Sequence, residues 1–308
     1  MTDSPAPRAA TTDEPPAGVP SEPRPPGVPG SIEPAPGEPS PPIIPDGLDA
    51  TLLLVRHGES EWVAEGRFQG HGNPELSELG RRQAHLTARR LAHRHRAPAL
   101  PLPATAPHAI IHSPLRRAAQ TAALIRDDLE RQLATSIPAL PEPGLMEIGQ
   151  GEWEGLLGAE ITERWGEVLS AWRLDPLSAW APGGESLPTV DARVRAMLRS
   201  QLADLAELAP PGTTNRSQVL GYHELPSDEP WTILVGHDGV FKIVLLALLD
   251  LPLSRFWTLP FALCGLTVVE LRGGRPRLRL HNATDHLASL EDEAAWARDA
   301  ERGRSGAL

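Results

Sequence analysis

The chain has 308 residues, a net charge of −11 and one cysteine, Cys264. That length gives one large domain or two small ones, the acidity excludes a general nucleic-acid surface, and one cysteine excludes an internal disulfide framework or a cysteine zinc site. The only lysine, Lys242, follows Phe241 rather than a glycine, which excludes a P-loop and leaves phosphate binding to arginine, histidine or backbone N–H groups.

Residues 1–48 open the chain as a proline-rich tail. Fifteen of the 34 prolines fall in the first 45 residues, which contain no Phe, Trp or Tyr. Such a segment buries too little apolar surface to offset its ordering entropy, so it is expected to be disordered and solubilising. Residues 1–50 hold eight acids and two bases, a net of −6, which leaves −5 (−11 minus −6) for the remainder. There is no apolar signal segment at the N-terminus. The longest apolar run, Val240 to Leu253, is interrupted by Lys242, Asp250 and Pro252 and is too short for a bilayer. The expectation is a cytoplasmic protein in a reducing compartment, without membrane or nucleic-acid partners.

A folded domain is expected over 49–293. "TLLLV" from Thr51 reads as a buried strand. Ser77 reads as the N-cap of a helix with Ala84, Ala88 and Leu91 on one face. "HAIIH" is a second strand, followed by a helix carrying Ala118, Ala122, Ile125 and Leu129. A further helix carries Val190, Val194, Met197, Leu198, Leu202 and Leu205. "WTILVG" is another strand, and "VFKIVLLALLD" its helix. "LTVVEL" and "RLRLH" close the domain as a hairpin turned at Gly273-Gly274. Residues 210–230 read as a polar insertion and 294–308 as a flexible tail. Strands alternating with helices predict an α/β fold with a mainly parallel sheet.

In such sheets ligands bind beyond the carboxyl ends of the strands. Three strand ends here, "LLLVRHG", "AIIHSPLRRAAQTA" and "TILVGHDG", bring Arg56, His57, Arg117 and His237 to one rim. Positive charge this dense is costly unless it meets an anion, and phosphate is the expected one. Ser113 reads as an N-cap with Pro114 at the first helical position, which puts Arg117 in an opening turn where free N–H groups already favour an anion. Gly58 is expected to permit the tight turn after His57. His93 and His95, near the end of an arginine-rich helix, read as a solvated face rather than a metal site.

"LLLVRHGESEW", "SPLRRAAQTA", "LMEIGQGEWEG", "PGGES" and "LVGHDGV", in this order across Thr51 to Ala283, resemble the motif set of the histidine phosphatase superfamily, in its phosphoglycerate-mutase-like branch. The resemblance implies a three-layer α/β sandwich and a phosphohistidine mechanism that requires neither metal nor cofactor. It implies that His57 is the nucleophile, that Arg56 and Arg117 clamp the phosphoryl oxygens, and that His237 donates to the same group. It assigns the general acid and base to Glu147; composition alone leaves Glu152, Glu154 and Glu185 as competitors. Arg67, Phe68, Gln69 and Gly70 match a segment bordering the substrate pocket, and 147–186, with Trp153, Trp165, Trp172 and Trp180, matches a cap. Two positions depart from the pattern. Val63 stands where many relatives carry a phosphate-binding Asn, and Asp238 is expected to repel a highly anionic substrate.

The resulting expectation is a phosphatase acting on a small phosphorylated metabolite. The alternatives are a cofactor-dependent phosphoglycerate mutase and a non-catalytic domain that binds phospholigands. The residues leave open the natural substrate and the oligomeric state.

Overall fold

Leu52, Leu53, Leu54 and Val55 are all fully buried, which a strand achieves only when both faces of its sheet are covered. Leu52 and Leu54 enter one hydrophobic cluster; Leu53 and Val55 enter another on the opposite face. The strand is β1 (Ala50–Arg56) of a computed structural model that describes residues 41–208 and 228–290. Residues 1–40, most of the 210–230 insertion and the 294–308 tail lie outside the described residues.

The remaining strands are β2 (Ile110–His112), β3 (Ala139–Pro141), β4 (Trp231–Gly236), β5 (Leu266–Arg272) and β6 (Arg275–Ala283). They form one sheet in the order β3-β2-β4-β1-β5-β6. The first four are mutually parallel, β5 runs antiparallel to β1, and β6 antiparallel to β5. The helices are α1 (Glu61–Ala64), α2 (Glu78–Ala92), α3 (Arg116–Leu133), α4 (Gly158–Leu174), α5 (Leu187–Leu208) and α6 (Asp238–Leu248). Ala88 and Leu91 of α2 and Ala118, Ala122, Ile125 and Leu129 of α3 cover one face. Val190, Val194, Leu198 and Leu202 of α5, with α6, cover the other. The expected three-layer α/β sandwich is therefore present. Among the described residues no helix is long and apolar enough to cross a membrane.

Ser77 caps α2 as read from the sequence, accepting from Gly80 N–H at 3.0 Å. The β5–β6 hairpin turns on Gly273 and Gly274, with φ of +56° and +74°, the conformation of a two-residue type I′ turn. Segment 147–186 forms its own small core. Trp153, Ile161, Leu169 and Ala181 are buried there, and Phe68, Trp165 and Trp172 pack against them. Trp180 stays 43% exposed.

Three local readings change. The chain joins the domain before residue 49: Leu48 is buried, and Ile43 and Ile44 pack against the core. Two adjacent isoleucines supply the apolar area that the preceding prolines lack. Leu115, not Ser113, is the N-cap of α3, and no side chain caps it. Pro114 and Leu115 extend the turn, so the Ser113 hydroxyl accepts from Leu115 N–H at 3.3 Å and faces inward. Gly58 is required by close approach rather than by a positive φ. A Cβ there would meet the Gly80 carbonyl oxygen at 2.5 Å, so a side chain would push the start of α2 off the end of β1.

Candidate active site

β2, β4 and β1 are adjacent and parallel, so their carboxyl ends share one rim. His57 N–H donates to Gly236 O and Ser113 N–H to Val235 O, both at 2.9 Å. The three exit turns are thereby stitched together where the ladder ends. His57 and His237 are buried there, with ring centroids 5.0 Å apart and planes inclined at 61°.

A hydrogen bond to a carbonyl fixes the tautomer of His57. His57 Nδ1 lies 2.6 Å from Gly58 O. A carbonyl only accepts, so the proton is on Nδ1 and Nε2 carries a lone pair. Arg117 Nε–H donates to that Nε2 at 3.3 Å. Burial first, then the charges of Arg117 and Arg56, hold the His57 pKa well below 6.5, against the Gly58 carbonyl. His237 Nε2 lies 2.8 Å from Ser113 Oγ. The Ser113 oxygen also accepts from Leu115 N–H, and the other ring nitrogen of His237, Nδ1, is buried without a partner. Burial, followed by Arg117, His57, Arg56 and Arg193, also holds His237 well below 6.5. Both rings are neutral at neutral pH.

Arg117 is fully buried in the first turn of α3. Its Nη1 donates to Gly72 O at 2.7 Å and its Nη2 to Gly70 O at 2.9 Å. Burial lowers its pKa from 12.5 to about 10, opposed by the charge of Glu147, so it remains a cation. Arg56 Nη1 donates to Phe261 O at 2.6 Å, while its buried Nε–H has no partner. Among the described residues neither guanidinium makes an ion pair. The site therefore holds two guanidinium cations outside any ion pair and two unpartnered buried nitrogens, Arg56 Nε and His237 Nδ1, beside one imidazole lone pair.

Glu147 reaches the same place from the loop after the 3₁₀ turn Pro143–Leu145. Its carboxylate accepts from Gly239 N–H at 3.1 Å and Val240 N–H at 3.0 Å, in the first turn of α6. That is where free amides and the helix dipole favour an anion. His237 is the residue before this helix, so Glu147 and His237 share one structural corner.

The chain matches the histidine phosphatase superfamily (branch 1) over residues 52–210 and 215–284. It belongs to that superfamily. It is 31% identical over 246 residues to phosphoserine phosphatase 1 of Hydrogenobacter thermophilus, covering 79% of this chain and 97% of that protein. Glucosyl-3-phosphoglycerate phosphatase of Mycobacterium tuberculosis is 32% identical over 206 residues, 67% of this chain and 78% of that one. A solved mycobacterial glucosyl-3-phosphoglycerate phosphatase in complex with inorganic phosphate superposes with a TM-score of 0.58 at 30% identity, covering 77% of this chain and 98% of its own. This histidine phosphatase is a phosphoric monoester hydrolase that works on a small-molecule phosphomonoester through a phosphohistidine.

The structure brings Arg56, His57, Arg117, His237 and Glu147 together, with Gly70 beside Arg117, while the side chains of Arg67 and Gln69 bond to other partners. Arg67 pairs with Glu65 at 2.6 Å and donates to Gly155 O at 2.8 Å, joining segment 147–186 rather than the histidines. Gln69 Oε1 accepts from Ser60 Oγ at 2.6 Å. Gly70 seats Arg117 through its carbonyl. Asp238 is not a free repulsive charge: Lys242 Nζ lies 2.6 Å from one of its oxygens, and the other accepts from Phe261 N–H. Lys242 itself packs over the rings of Phe256 and Trp257. His95 Nε2–H donates to the backbone at Leu102 O, at 2.9 Å, and among the described residues no group of three or more His, Cys, Asp or Glu side chains is placed to hold a metal ion. Sequence reasoning passed over Ser113 as the partner of His237, and Arg193 and His71 altogether.

Proposed function

We propose that His57 Nε2 is the phosphorylated atom, that Arg56, Arg117 and His237 Nδ1–H bind the phosphoryl oxygens, and that Glu147 transfers the proton in both half-reactions. In the first, a P–N bond forms as the P–O bond breaks, and Glu147 protonates the leaving alcohol. In the second, Glu147 takes a proton from water as the water oxygen attacks phosphorus and the P–N bond breaks. One observation carries this reading: two buried, unpartnered nitrogens, Arg56 Nε–H and His237 Nδ1, flank a neutral imidazole with its lone pair on Nε2. Unmade hydrogen bonds of this kind are costly until an anion supplies the acceptors. Segment 147–186 caps the site in this reading, the partner is a small phosphorylated metabolite, and the single cysteine supports a cytoplasmic setting. Phosphate release from a phosphomonoester panel that includes phosphoserine and glucosyl-3-phosphoglycerate tests it.

Two expected results follow. Two arginines already neutralise the phosphate, so turnover is expected to survive excess chelator; complete loss restored by added magnesium would refute the charge assignment. A mutase must also shield its phosphohistidine from water and grip a substrate carboxylate. After Glu147 the chain carries Ile148, Gly149, Gln150 and Gly151, neutral and largely small, and its only lysine is committed to Asp238. Hydrolysis is therefore expected to exceed interconversion of 2- and 3-phosphoglycerate by at least about tenfold, a barrier difference of about 1.4 kcal/mol. Both rates measured on one preparation decide it, and faster interconversion would make this enzyme a mutase.

A further inference from the structure

The backbone around Glu147 belongs to no helix or strand over residues 146–150. Side chains from two other parts of the chain hold it instead. From α5, Arg193 Nη1 donates to Gly144 O at 2.9 Å and Met146 O at 2.8 Å, and Nη2 donates to Glu147 O at 3.0 Å. The same guanidinium grips both oxygens of Glu185, at 3.2 and 2.9 Å. Glu185 in turn accepts from Gly149 N–H at 2.8 Å.

His71 meets the same two acceptors from another loop. Its Nε2 lies 2.9 Å from Glu147 O and 3.4 Å from Glu185 Oε2. Both neighbours are acceptors, so Nε2 carries a proton and donates. The loop that bears His71 is the one that seats the phosphate clamp, because the flanking Gly70 and Gly72 carbonyls accept from Arg117. The His71 backbone N–H is anchored as well, donating to Glu154 Oε1 at 2.8 Å. One side chain thus ties the segment bearing Glu147 to the loop holding Arg117.

The charges facing His71 agree with this. The hydrogen bond to Glu185 raises its pKa against partial burial, with further help from the Glu185 charge, the Glu147 carbonyl and Glu154. Burial pushes the Glu185 carboxyl up, but the hydrogen bonds from His71 and Arg193, the Arg193 charge and Gly149 N–H outweigh it and bring it down to about 2. Glu185 is ionised throughout any working pH, and it faces His71 and Arg193 together.

We propose that His71 is a positioning residue for proton transfer: its Nε2–H fixes the backbone of Glu147 relative to the Arg117 loop, so that the carboxyl sits at the leaving-group oxygen of a phosphate held by Arg117. This rests on Glu147 being the general acid, as in the preceding section. An acid held out of place costs most when the leaving group needs a proton and least when it does not.

The test compares kcat/KM for an alkyl phosphate, glycerol phosphate, with that for p-nitrophenyl phosphate, whose phenolate leaves without a proton. Glu147→Gln is the reference and should lose about 100-fold or more on the alkyl ester and far less on the aryl ester. His71→Ala and His71→Leu should show the same split at about tenfold on the alkyl ester, with the aryl ester within about threefold of the parent. His71→Gln, whose amide N–H can reach the same carbonyl, should recover most of the loss. Equal losses on both esters, no loss on either, or failure of both Ala and Leu variants to fold would each overturn the role of His71. The absence of a split in Glu147→Gln would instead overturn the acid assignment on which it rests.

Discussion

His57→Ala is expected to lower turnover by about 10⁴-fold or more, on the order of what losing a covalent nucleophile costs, and to abolish the acid-labile, base-stable phosphoenzyme. The expectation follows from the state of the ring. The Nδ1–H bond to Gly58 O leaves the lone pair on Nε2. Burial and two guanidinium charges keep the ring unprotonated well below pH 6.5, so the nucleophile is available wherever substrate phosphate carries its second charge. Alanine leaves Arg56, Arg117 and His237 to bind the ester, so affinity for inorganic phosphate should fall much less than turnover. Rapid acid and alkaline quenching with phosphorus-labelled substrate measures the adduct, and full activity in His57→Ala would end the mechanism. A second consequence concerns stability. With its folded pKa below the unfolded 6.5, His57 binds a proton more readily in the unfolded chain, which removes stability as pH falls through and below 6.5. His57→Ala should therefore show a shallower acid-side loss of stability, read from denaturant midpoints between about pH 7 and 5.

The strand ends were legible because of a conflict visible in the sequence itself. An uninterrupted apolar run such as Leu52–Val55 must be a strand buried on both faces, and cationic or imidazole groups at its end are then either a cost or a site. Three such ends in alternation with helices place Arg56, His57, Arg117 and His237 without coordinates. The glutamates were not legible in this way. Glu147, Glu154 and Glu185 are alike in kind, and all three lie in irregular backbone, on either side of α4. The structure separates them by what they bind: Glu154 takes the backbone N–H groups of His71 and Gln150, Glu185 takes Arg193 and Gly149, and only Glu147 reaches the first turn of α6. Those partners lie up to 93 residues away in sequence, and no local pattern encodes them. Arg193 was hidden for the complementary reason. It sits between Val190 and Val194 on an amphipathic helix, where a polar residue reads as solvent-facing, yet its guanidinium turns back along the layer and ends among the carbonyls of 144–147. Ser113 shows how a local rule fails under tertiary demand. Serine before a proline is a good cap signal, but its hydroxyl is worth more to a buried His237 Nε2 than to a helix that can start two residues later.

Arg117→Ala is expected to lower kcat/KM by about 10³-fold, about 4 kcal/mol of transition-state stabilisation, and Arg117→Lys to recover little of it at neutral pH. The guanidinium is fully buried, with its two Nη groups set by the Gly70 and Gly72 carbonyls and its Nε–H aimed at His57 Nε2. It is thus preorganised on the nucleophile before substrate arrives, and the charge that develops on the phosphoryl oxygens meets a cation that need not reorient. Alanine removes that charge and takes the donor from the buried Gly70 carbonyl, at about 1–3 kcal/mol, and from the half-buried Gly72 carbonyl, so thermal denaturation must be measured beside the kinetics to separate loss of fold from loss of clamp. Lysine keeps a charge in principle but not in this environment. Burial already takes the arginine from 12.5 to about 10, and the same desolvation acting on an ammonium with an ordinary value of about 10.4 carries it toward neutrality. A lysine also lacks the planar fork that serves two carbonyls and the imidazole at once. Its activity should consequently rise as the assay pH is lowered, relative to the parent enzyme at each pH, because protonation restores the cation. An Arg117→Lys enzyme within tenfold of the parent at neutral pH, with an unchanged pH profile, would show that a bare positive charge suffices and that the fork on His57 contributes nothing.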